Sequence, residues 1–133
     1  LKVGGYCVLS VMNFELTQAR MKHSFSLKNE PNKLLELSAS STMEQTGDIF
    51  HPDFYMIDTD TDIVYRREQF SQGTDLPQEL IVRDRRYTME QIQRMCQDVG
   101  FEVIFNQYVV AGKWNEPKSP TQGKEILLIC QKN

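Results

Sequence analysis

Two groups of arginines are the residues of this chain whose types and spacing most suggest chemistry. Arg66-Arg67 and Arg83-Asp84-Arg85-Arg86 lie in two segments rich in β-branched and aromatic residues. If these segments are neighbouring strands, alternate arginines would form a basic stripe that grips a phosphate or a carboxylate. The competing interpretation, which we favour, is a solvated strand face on which Glu68, Asp84 and a nearby aspartate run pair with the arginines.

Side chains near these arginines are candidates for binding a substrate. An aromatic ring could stack on a planar substrate, and a histidine in the irregular segment could act as a general base. For each of them a structural role, in the core or at the surface, is an equal or stronger alternative. The candidate substrate-binding residues are Tyr65, Arg66, Arg83, Arg85, Tyr87, His51 and Trp114. No catalytic residue is assigned.

The aspartate run Asp58, Asp60 and Asp62 begins with the spacing of a calcium-binding loop. The sixth position of that loop is Ile63 rather than Gly, and the twelfth is Gln69 rather than Glu, so two essential features are missing. An exposed hairpin turn is the favoured interpretation, and we expect no metal.

The three cysteines, Cys7, Cys96 and Cys130, lie far apart on apolar stretches without a C-x-x-C pair. An odd number with this spacing indicates neither a disulfide framework nor a zinc site. We therefore expect buried, reduced thiols in a cytoplasmic protein.

Composition is that of a globular protein with one core. The chain has 133 residues, of which 40% are hydrophobic and 25% charged, and its net charge is −3. The charge does not favour general binding to nucleic acid or to a membrane surface. No apolar run approaches the length of a membrane span, so we expect neither a membrane nor a nucleic acid as partner.

An apolar strand is predicted over residues 5–12, with both faces covered because nearly every position is apolar. Asn13 is a predicted N-cap for a short helix over 14–22. Residues 23–53 are expected to be irregular, with one or two helical turns after Pro31. Residues 54–70 predict a hairpin that turns at 58–62, followed by a loop around Gly73 to Pro77 and a third strand over 79–86.

The clearest helix is predicted over 88–99, because Thr88 and Gln91 form a capping box and Gly100 is a typical stop. Its apolar stripe consists of Met89, Ile92, Cys96 and Val99. A strand over 101–111, a loop over 112–123 and an apolar strand over 125–130 complete the predicted order.

Two segments of this order resemble class I S-adenosylmethionine-dependent methyltransferases. The sequence LKVGGYCVLS at 1–10 resembles the L-K-P-G-G turn and fifth strand of that family, with Val3 where Pro is usual. The sequences YTMEQI at 87–92 and VGFEV at 99–103 resemble its Y/F-T-x-E-E-I…G-F-x-V stretch, which precedes the sixth strand. The closing strand at 126–130 resembles the seventh, which lies antiparallel between the fifth and the sixth. Residues 13–80 match only as an insertion.

The resemblance implies an α/β fold: the C-terminal part of a Rossmann-like methyltransferase sheet, mixed because its last strand is antiparallel, plus an antiparallel β-hairpin insertion. Residues 1–133 would form a single domain, a C-terminal fragment of a methyltransferase domain, with 23–87 as its substrate-side insertion. The first strand would then have one unpaired edge, where a fourth strand would lie. Such an edge favours pairing with another chain, so we expect a homodimer or a swapped assembly in isolation.

The function that the resemblance implies is methyl transfer to a small-molecule acceptor, with this chain as the substrate-side part of the enzyme. Two alternatives stay open, a non-enzymatic α+β binding module and the nucleic-acid-contacting part of a methyltransferase. The family holds S-adenosylmethionine on a glycine-rich turn, and no G-x-G-x-G occurs here. No cofactor-binding residue is therefore assigned: the cofactor is expected in the full-length protein only, and this chain alone is predicted to be inactive.

Overall fold

The computed structural model describes residues 1–41, 48–70 and 78–133. In chain order the elements are β1 (Tyr6–Met12), α1 (Phe14–Arg20), β2 (Ser24–Phe25), β3 (Tyr55–Asp58), β4 (Val64–Phe70), β5 (Gln78–Asp84), α2 (Met89–Asp98), β6 (Phe101–Val110), β7 (Lys113–Lys118) and β8 (Glu125–Lys132). Short 3-10 helices cover Pro31–Glu36 and Pro52–Phe54. The loop predicted around Gly73 to Pro77 lies outside the described residues.

The chain divides into two compact units. The first unit consists of Leu1–Ala19 with Arg86–Asn133, and the second unit is Arg20–Arg85. The second unit covers nearly the range 23–87 that was predicted as an insertion. That the two units form a single domain stays a prediction.

The sheet of the first unit has the strand order β1-β8-β6-β7. Strand β8 is antiparallel to both of its neighbours, β1 and β6. The expectation that the last strand lies antiparallel between the first strand and the strand at 101 is therefore confirmed. Strand β1 ends the order of described strands, so the predicted unpaired edge is confirmed as well.

Helix α2 packs on one face of this sheet. Thr88 accepts a hydrogen bond from Gln91 N, the Gln91 side chain accepts one from Thr88 N, and Gly100 has a φ of 84° after the helix end. The predicted capping box and stop are confirmed. The core consists of Ile92, Cys96, Ile126, Leu128 and Cys130, with Leu9, Val11, Tyr87, Met89, Phe101, Val103 and Tyr108 packed against them. Val99, predicted on the apolar stripe, is 64% exposed because it is the C-cap, where the helix ends.

Strand β1 alternates between a half-buried and an exposed face. Its odd positions from Cys7 to Val11 are partly buried, whereas Tyr6 is 62% and Val8 55% exposed. The expectation that both faces are covered is therefore wrong for the part of the chain that the structure describes. The apolar sequence of β1 favours burial of both faces, but the residues that the structure describes do not cover the face that carries Tyr6 and Val8.

The predicted loop at 112–123 is wrong over its first half. Strand β7 pairs antiparallel with β6, and Tyr108 lies opposite Lys118. Gly112, with a φ of 77°, makes the turn. This strand was not predicted because its sequence is polar and contains Pro117, and proline is typical of loops. Proline is also tolerated on an edge strand, whose outer side forms no hydrogen-bond ladder.

The second unit has its own sheet with the order β2-β3-β4-β5, in which β2 and β3 are parallel and the other pairs antiparallel. The predicted hairpin and third strand are confirmed. The core consists of Phe25, Leu34, Leu37, Met56 and Tyr65. Leu34 and Leu37 come from the 3-10 helix after Pro31 and the residue that follows it, so the predicted helical turns pin this otherwise irregular segment to the sheet.

The architecture is mixed α/β with two sheets and few helices, in agreement with the predicted α/β class. That the first sheet is the C-terminal part of a Rossmann-like methyltransferase sheet stays a prediction. None of the helices in the described ranges has the length and apolar character that a bilayer crossing requires.

Candidate functional site

Asn13 joins three segments at the carboxyl end of β1, the end at which open α/β sheets bind ligands. Its Oδ1 accepts a hydrogen bond from Glu15 N at 3.0 Å, which confirms the predicted N-cap. Its Nδ2 donates to Pro120 O and Gly123 O, both at 2.7 Å, and the side chain is fully buried. Both amide protons and the amide oxygen are therefore engaged within the protein, which indicates a structural role for Asn13.

Thr17 and Arg86 continue this junction. The Thr17 hydroxyl donates to Asn13 O at 3.0 Å, and Arg86 Nη1 donates to Thr17 Oγ1 at 2.8 Å. Thr17 is fully buried and Arg86 is 1% exposed. We call Asn13, Thr17 and Arg86 the Asn13 cluster. Arg86 was predicted as part of a surface stripe, but it is buried. The apolar residues around Asn13 were the feature of the sequence that could have indicated a buried polar junction here.

A tyrosine and a glutamate meet beside α1. The Tyr108 hydroxyl, on β6, donates a hydrogen bond to the Glu15 carboxylate. Burial, and then this carboxylate, raise the pKa of Tyr108 well above its ordinary value. The phenol therefore stays protonated at every physiological pH and acts as a hydrogen-bond donor. Neither residue was a sequence candidate.

Arg66 and Arg67 lie on β4 and Arg83 lies on the neighbouring β5, whereas Arg85 and Arg86 follow the end of β5. These arginines do not form one stripe. Tyr65 is opposite Arg83 in the register of β4 and β5, so Arg66 points to the other face. There Arg66 Nε lies 3.1 Å from Asp84 Oδ2, and its Nη1 pairs with Glu68 Oε1. We call Arg66, Glu68 and Asp84 the Arg66 cluster. Its members are at most 9% exposed, so the favoured paired alternative is what forms, but buried rather than solvated.

Glu68 is the member of the Arg66 cluster that keeps unused hydrogen-bonding capacity. It is 1% exposed, and its Oε2 has no hydrogen-bond partner among the residues that the structure describes. A buried acceptor of this kind is rare because its desolvation is not repaid. The atom is therefore suited to accept a hydrogen bond from a water or from a polar group of a ligand.

The remaining arginines are also engaged inside the second unit. Arg67 makes a two-pronged ion pair with Glu79 at 2.8 and 2.9 Å, and this hydrogen bonding lowers the pKa of Glu79. The guanidinium of Arg83 lies 5.9 Å from the centre of the Tyr65 ring. Arg85 Nη1 donates to Thr61 O at 3.0 Å. Binding a ligand phosphate would require these contacts to be exchanged.

The aromatic candidates have mainly structural surroundings. Tyr65 is 4% exposed and meets Phe25 edge-on, with ring centres 5.5 Å apart. Tyr87 packs against the core of the first unit. Trp114 is 46% exposed on β7, and its carbonyl accepts a hydrogen bond from Gln107. Of the seven candidates the structure brings Tyr65 and Arg83 together, and it places Tyr87 and Trp114 in the first unit.

His51 lies near a cleft of about 390 Å³ in the second unit. Its Nδ1 accepts a hydrogen bond from Asp53 N at 3.3 Å, and its ring lies 5.2 Å from that of Phe54. The cleft is lined by His23, Lys33, Glu36, Leu37, Ser38, Asp53, Phe54 and Met56. Leu37 and Met56 are buried and form an apolar floor, whereas the charged side chains form the rim.

Asp53 brings a fixed negative charge to this cleft. Lys22 Nζ lies 2.8 Å from its Oδ1, and this hydrogen bond lowers the pKa of the Asp53 carboxyl. A mixed cleft of this size accommodates a small molecule with an apolar body and polar groups. The cleft was not predicted, because most of its lining comes from residues 23–53, which show no periodicity.

The aspartate run is a hairpin turn and not a calcium loop. Asp58 accepts hydrogen bonds from Leu27 N, Asp60 N and the Thr61 hydroxyl, the last at 2.6 Å. No group of three or more histidine, cysteine or acidic residues in the described ranges could hold a metal ion. The turn was predicted as exposed, but Asp58 itself is 2% exposed, because its carboxylate lies inside the turn and accepts these hydrogen bonds.

Two solved structures are similar to this chain over its full length. One is the CcbJ methyltransferase from Streptomyces caelestis, with a TM-score of 0.60, 11% identity and 48% of that chain covered. The other is an S-adenosylmethionine-dependent methyltransferase from Clostridium acetobutylicum ATCC 824, with a TM-score of 0.55, 13% identity and 46% covered. No family model and no curated protein matches the sequence. The chain thus shares a fold with about half the length of each of these structures.

Proposed function

We propose that this chain is the C-terminal, substrate-side part of an S-adenosylmethionine-dependent methyltransferase that methylates a small-molecule acceptor. The observation that carries the proposal is the match of the whole chain to about half of two methyltransferase structures, one of which is named as S-adenosylmethionine-dependent. The strand order β1-β8-β6 with an antiparallel β8 supports it, because the methyltransferase-like segments at 1–10, 87–103 and 126–130 supply these three strands. A reducing, cytoplasmic location agrees with three free cysteines.

The residues present do not make a cradle for S-adenosylmethionine. A phosphate- or ribose-binding turn needs glycines so that backbone can approach the ligand closely. At the junction from β1 to α1 the chain instead has Asn13, whose side-chain amide already donates hydrogen bonds to the carbonyls of Pro120 and Gly123. We therefore assign the cofactor to a part of the protein outside this chain, and we derive no cofactor chemistry from the residues here.

The second unit would supply the acceptor site. Its cleft of about 390 Å³ combines an apolar floor with charged rims, which suits a small molecule better than an extended polymer. A nucleic-acid-contacting arm draws no support from the arginines, because Arg66, Arg67 and Arg85 are each engaged within the protein. No contact in the described ranges favours the non-enzymatic α+β binding module either.

The free edge of β1 would be the joint between the two halves of the enzyme. At the carboxyl end of this edge Met12 O accepts a hydrogen bond from Tyr87 N at 3.0 Å. Along the rest of the edge no described strand pairs with β1, and the exposed Tyr6 and Val8 present apolar surface beside it. In the complete enzyme a preceding strand would pair here. In isolation a second copy would do so, which is why we propose a homodimer or swapped assembly for the chain alone.

The test compares this chain with a longer protein expressed from the same coding sequence together with the segment upstream of Leu1. Calorimetric titration with S-adenosylmethionine should give binding for the longer protein and none for this chain. Light scattering should give a dimer for this chain at micromolar concentration and a monomer for the longer protein.

A longer protein that folds but neither binds S-adenosylmethionine nor transfers its methyl group to any small-molecule acceptor would contradict the proposed function. A strictly monomeric chain would contradict only the role of the β1 edge, so the two parts of the proposal fail separately.

A further inference from the structure

The three cysteines, distant in sequence, converge on one apolar cavity of the first unit. Cys7 comes from β1, Cys96 from α2 and Cys130 from β8. The cavity measures about 240 Å³ and is lined by Cys7, Leu9, Ile92, Met95, Cys96, Val99, Phe101 and Cys130. Three thiols therefore face one small apolar space.

The sheet register makes Cys7 and Cys130 a matched pair. They lie directly opposite each other in the antiparallel ladder of β1 and β8. The bonds Lys132 N to Gly5 O at 2.9 Å and Asn13 N to Lys124 O at 3.0 Å place the hydrogen-bonded pairs at the odd positions of β1. In such a pair the Cα atoms are about 5.5 Å apart and both side chains are on the same face. This Cα separation lies within the range of about 4.4–6.8 Å found in disulfides. The Cβ atoms of such a pair, about 5.5 Å apart, must approach by about 1 Å, so a bridge here would be strained and readily reduced.

The three thiols differ in access and in acidity. Cys96 and Cys130 are buried, whereas Cys7 is only partly buried. Burial, then a hydrogen bond with the Cys96 thiol, and then the charges of Cys96 and Cys7 raise the pKa of Cys130 to about 11. A reagent from solvent therefore reaches Cys7 before Cys130. Cys130 is shielded from solvent and stays protonated near neutral pH.

We propose that Cys7 and Cys130 form an oxidisable pair that closes to a cross-strand disulfide when a hydroperoxide reaches Cys7. The Cys7 sulfur attacks the peroxide, the O–O bond breaks, and Cys7 becomes a sulfenic acid while an alcohol leaves. The Cys130 sulfur then attacks the Cys7 sulfur, the S–O bond breaks, and water leaves with the Cys130 proton. Two thiols and one hydroperoxide thus give one disulfide, one alcohol and one water. Cys96 stays reduced.

The first test needs no variant and does not depend on the proposed function. The chain is treated with tert-butyl hydroperoxide near neutral pH, denatured, blocked with N-ethylmaleimide and analysed by intact-mass and peptide-mapping mass spectrometry. The expected product carries one maleimide instead of three, with the Cys7 peptide linked to the Cys130 peptide of the same molecule. Three maleimides, a bridge through Cys96, or a bridge between two molecules would overturn the proposal.

Two variants then assign the roles. Cys96→Ala should retain the Cys7–Cys130 bridge. Cys7→Ser, a change at the partly buried member of the set, should slow the loss of free Cys130 by at least about tenfold, because Cys130 is shielded and protonated. If Cys130 is consumed as fast in Cys7→Ser as in the unchanged chain, Cys7 is not the entry point. Circular dichroism melts check that both variants are folded.

The rate of bridge closure gives an independent signature. Because Cys130 must act as the second nucleophile, its thiolate fraction should rise about tenfold for each pH unit below its pKa. Cys96 and Cys7 are the titratable groups that face it. Closure measured after pulsed oxidation should therefore be faster at pH 9 than at pH 7, and a rate that does not depend on pH would overturn the role of Cys130.

Discussion

The Asn13 cluster of the first unit and the Arg66 cluster of the second unit satisfy their buried polar side chains by different means. In the first unit the Asn13 cluster hydrogen-bonds mainly to main-chain carbonyls, those of Asn13, Pro120 and Gly123. In the second unit the Arg66 cluster consists of ion pairs between side chains. The first arrangement fixes where chain segments run, whereas the second depends on three side chains being present together.

This difference teaches which changes each unit can tolerate. Main-chain acceptors stay in place whatever the sequence, so a loss at Asn13 is not repaired by changing a neighbour. A buried ion pair is costly chiefly when one member is removed, because the other charge is left in a poor environment. Replacing several members together by apolar residues of similar volume is often neutral. The two clusters should therefore differ in whether a second substitution rescues the first.

The largest effect is expected for Arg66→Met. The change takes the guanidinium away from Glu68 and Asp84, which are 1% and 9% exposed. Loss of one side of a buried pair costs about 3–5 kcal/mol, so the free energy of unfolding in urea should fall by that amount. The double variant Arg66→Met, Glu68→Leu removes one of the stranded carboxylates and should recover at least half of the loss.

A loss below about 1 kcal/mol in Arg66→Met would show that the cluster is screened as a surface pair is. A double variant no more stable than the single would show that packing, not charge, sets the cost. Either result would remove the contrast between the two units.

Much of the fold follows from local patterns in the sequence, and the failures share one cause. The capping box at Thr88, the stop at Gly100 and the turn at Asp58 are decided by neighbours in the chain, so they were predictable. Whether residues 113–118 form β7, and whether both faces of β1 are buried, depends on which elements pack beside them. Local sequence patterns do not indicate these neighbours.

The candidate site shows the same limit more sharply. Strand alternation placed Arg66 and Arg83 on neighbouring strands, but only the register of β4 against β5 puts them on opposite faces. The cleft in the second unit combines side chains from residues 23–53, which show no periodicity, with Phe54 and with Met56 of β3. The union of Cys7, Cys96 and Cys130 needs both a strand register and a helix position. Sites formed by residues from several elements therefore could not be predicted from the sequence, whereas features formed within one element could.

An intermediate effect is expected for Asn13→Ala. The substitution leaves the carbonyls of Pro120 and of the buried Gly123 without their donor and removes the cap at Glu15 N. Lost hydrogen bonds to buried groups and a lost N-cap together should lower the free energy of unfolding by about 2–4 kcal/mol.

Asn13→Asp is the matched control. Aspartate keeps the capping oxygen but places a carboxylate against two carbonyl oxygens. It should therefore be at least as unstable as Asn13→Ala near neutral pH. If the aspartate variant is as stable as the unchanged chain, the cap and not the link to residues 120–123 supports this junction.

The smallest effect, and the most specific, is expected for Asp58→Asn. Burial raises the pKa of the Asp58 carboxyl, but hydrogen bonds from Thr61, Leu27 and Asp60 outweigh it, and the net pKa lies below the ordinary 3.8. A carboxyl whose pKa is lower in the folded state stabilises the fold above its unfolded pKa and loses that contribution as pH falls through the folded value. Near neutral pH the unchanged chain should exceed Asp58→Asn in unfolding free energy by about 2 kcal/mol.

That difference should persist down to a pH near 4 and shrink below it, measured by urea unfolding at a series of pH values. Asp62→Asn, an exposed change in the same turn, should alter stability by less than about 0.5 kcal/mol at each pH. A difference for Asp58→Asn that is constant between pH 7 and pH 3 would mean that the shape of the side chain supports the turn and its charge does not. The contrast between the two units would then rest on the three residues of the Arg66 cluster.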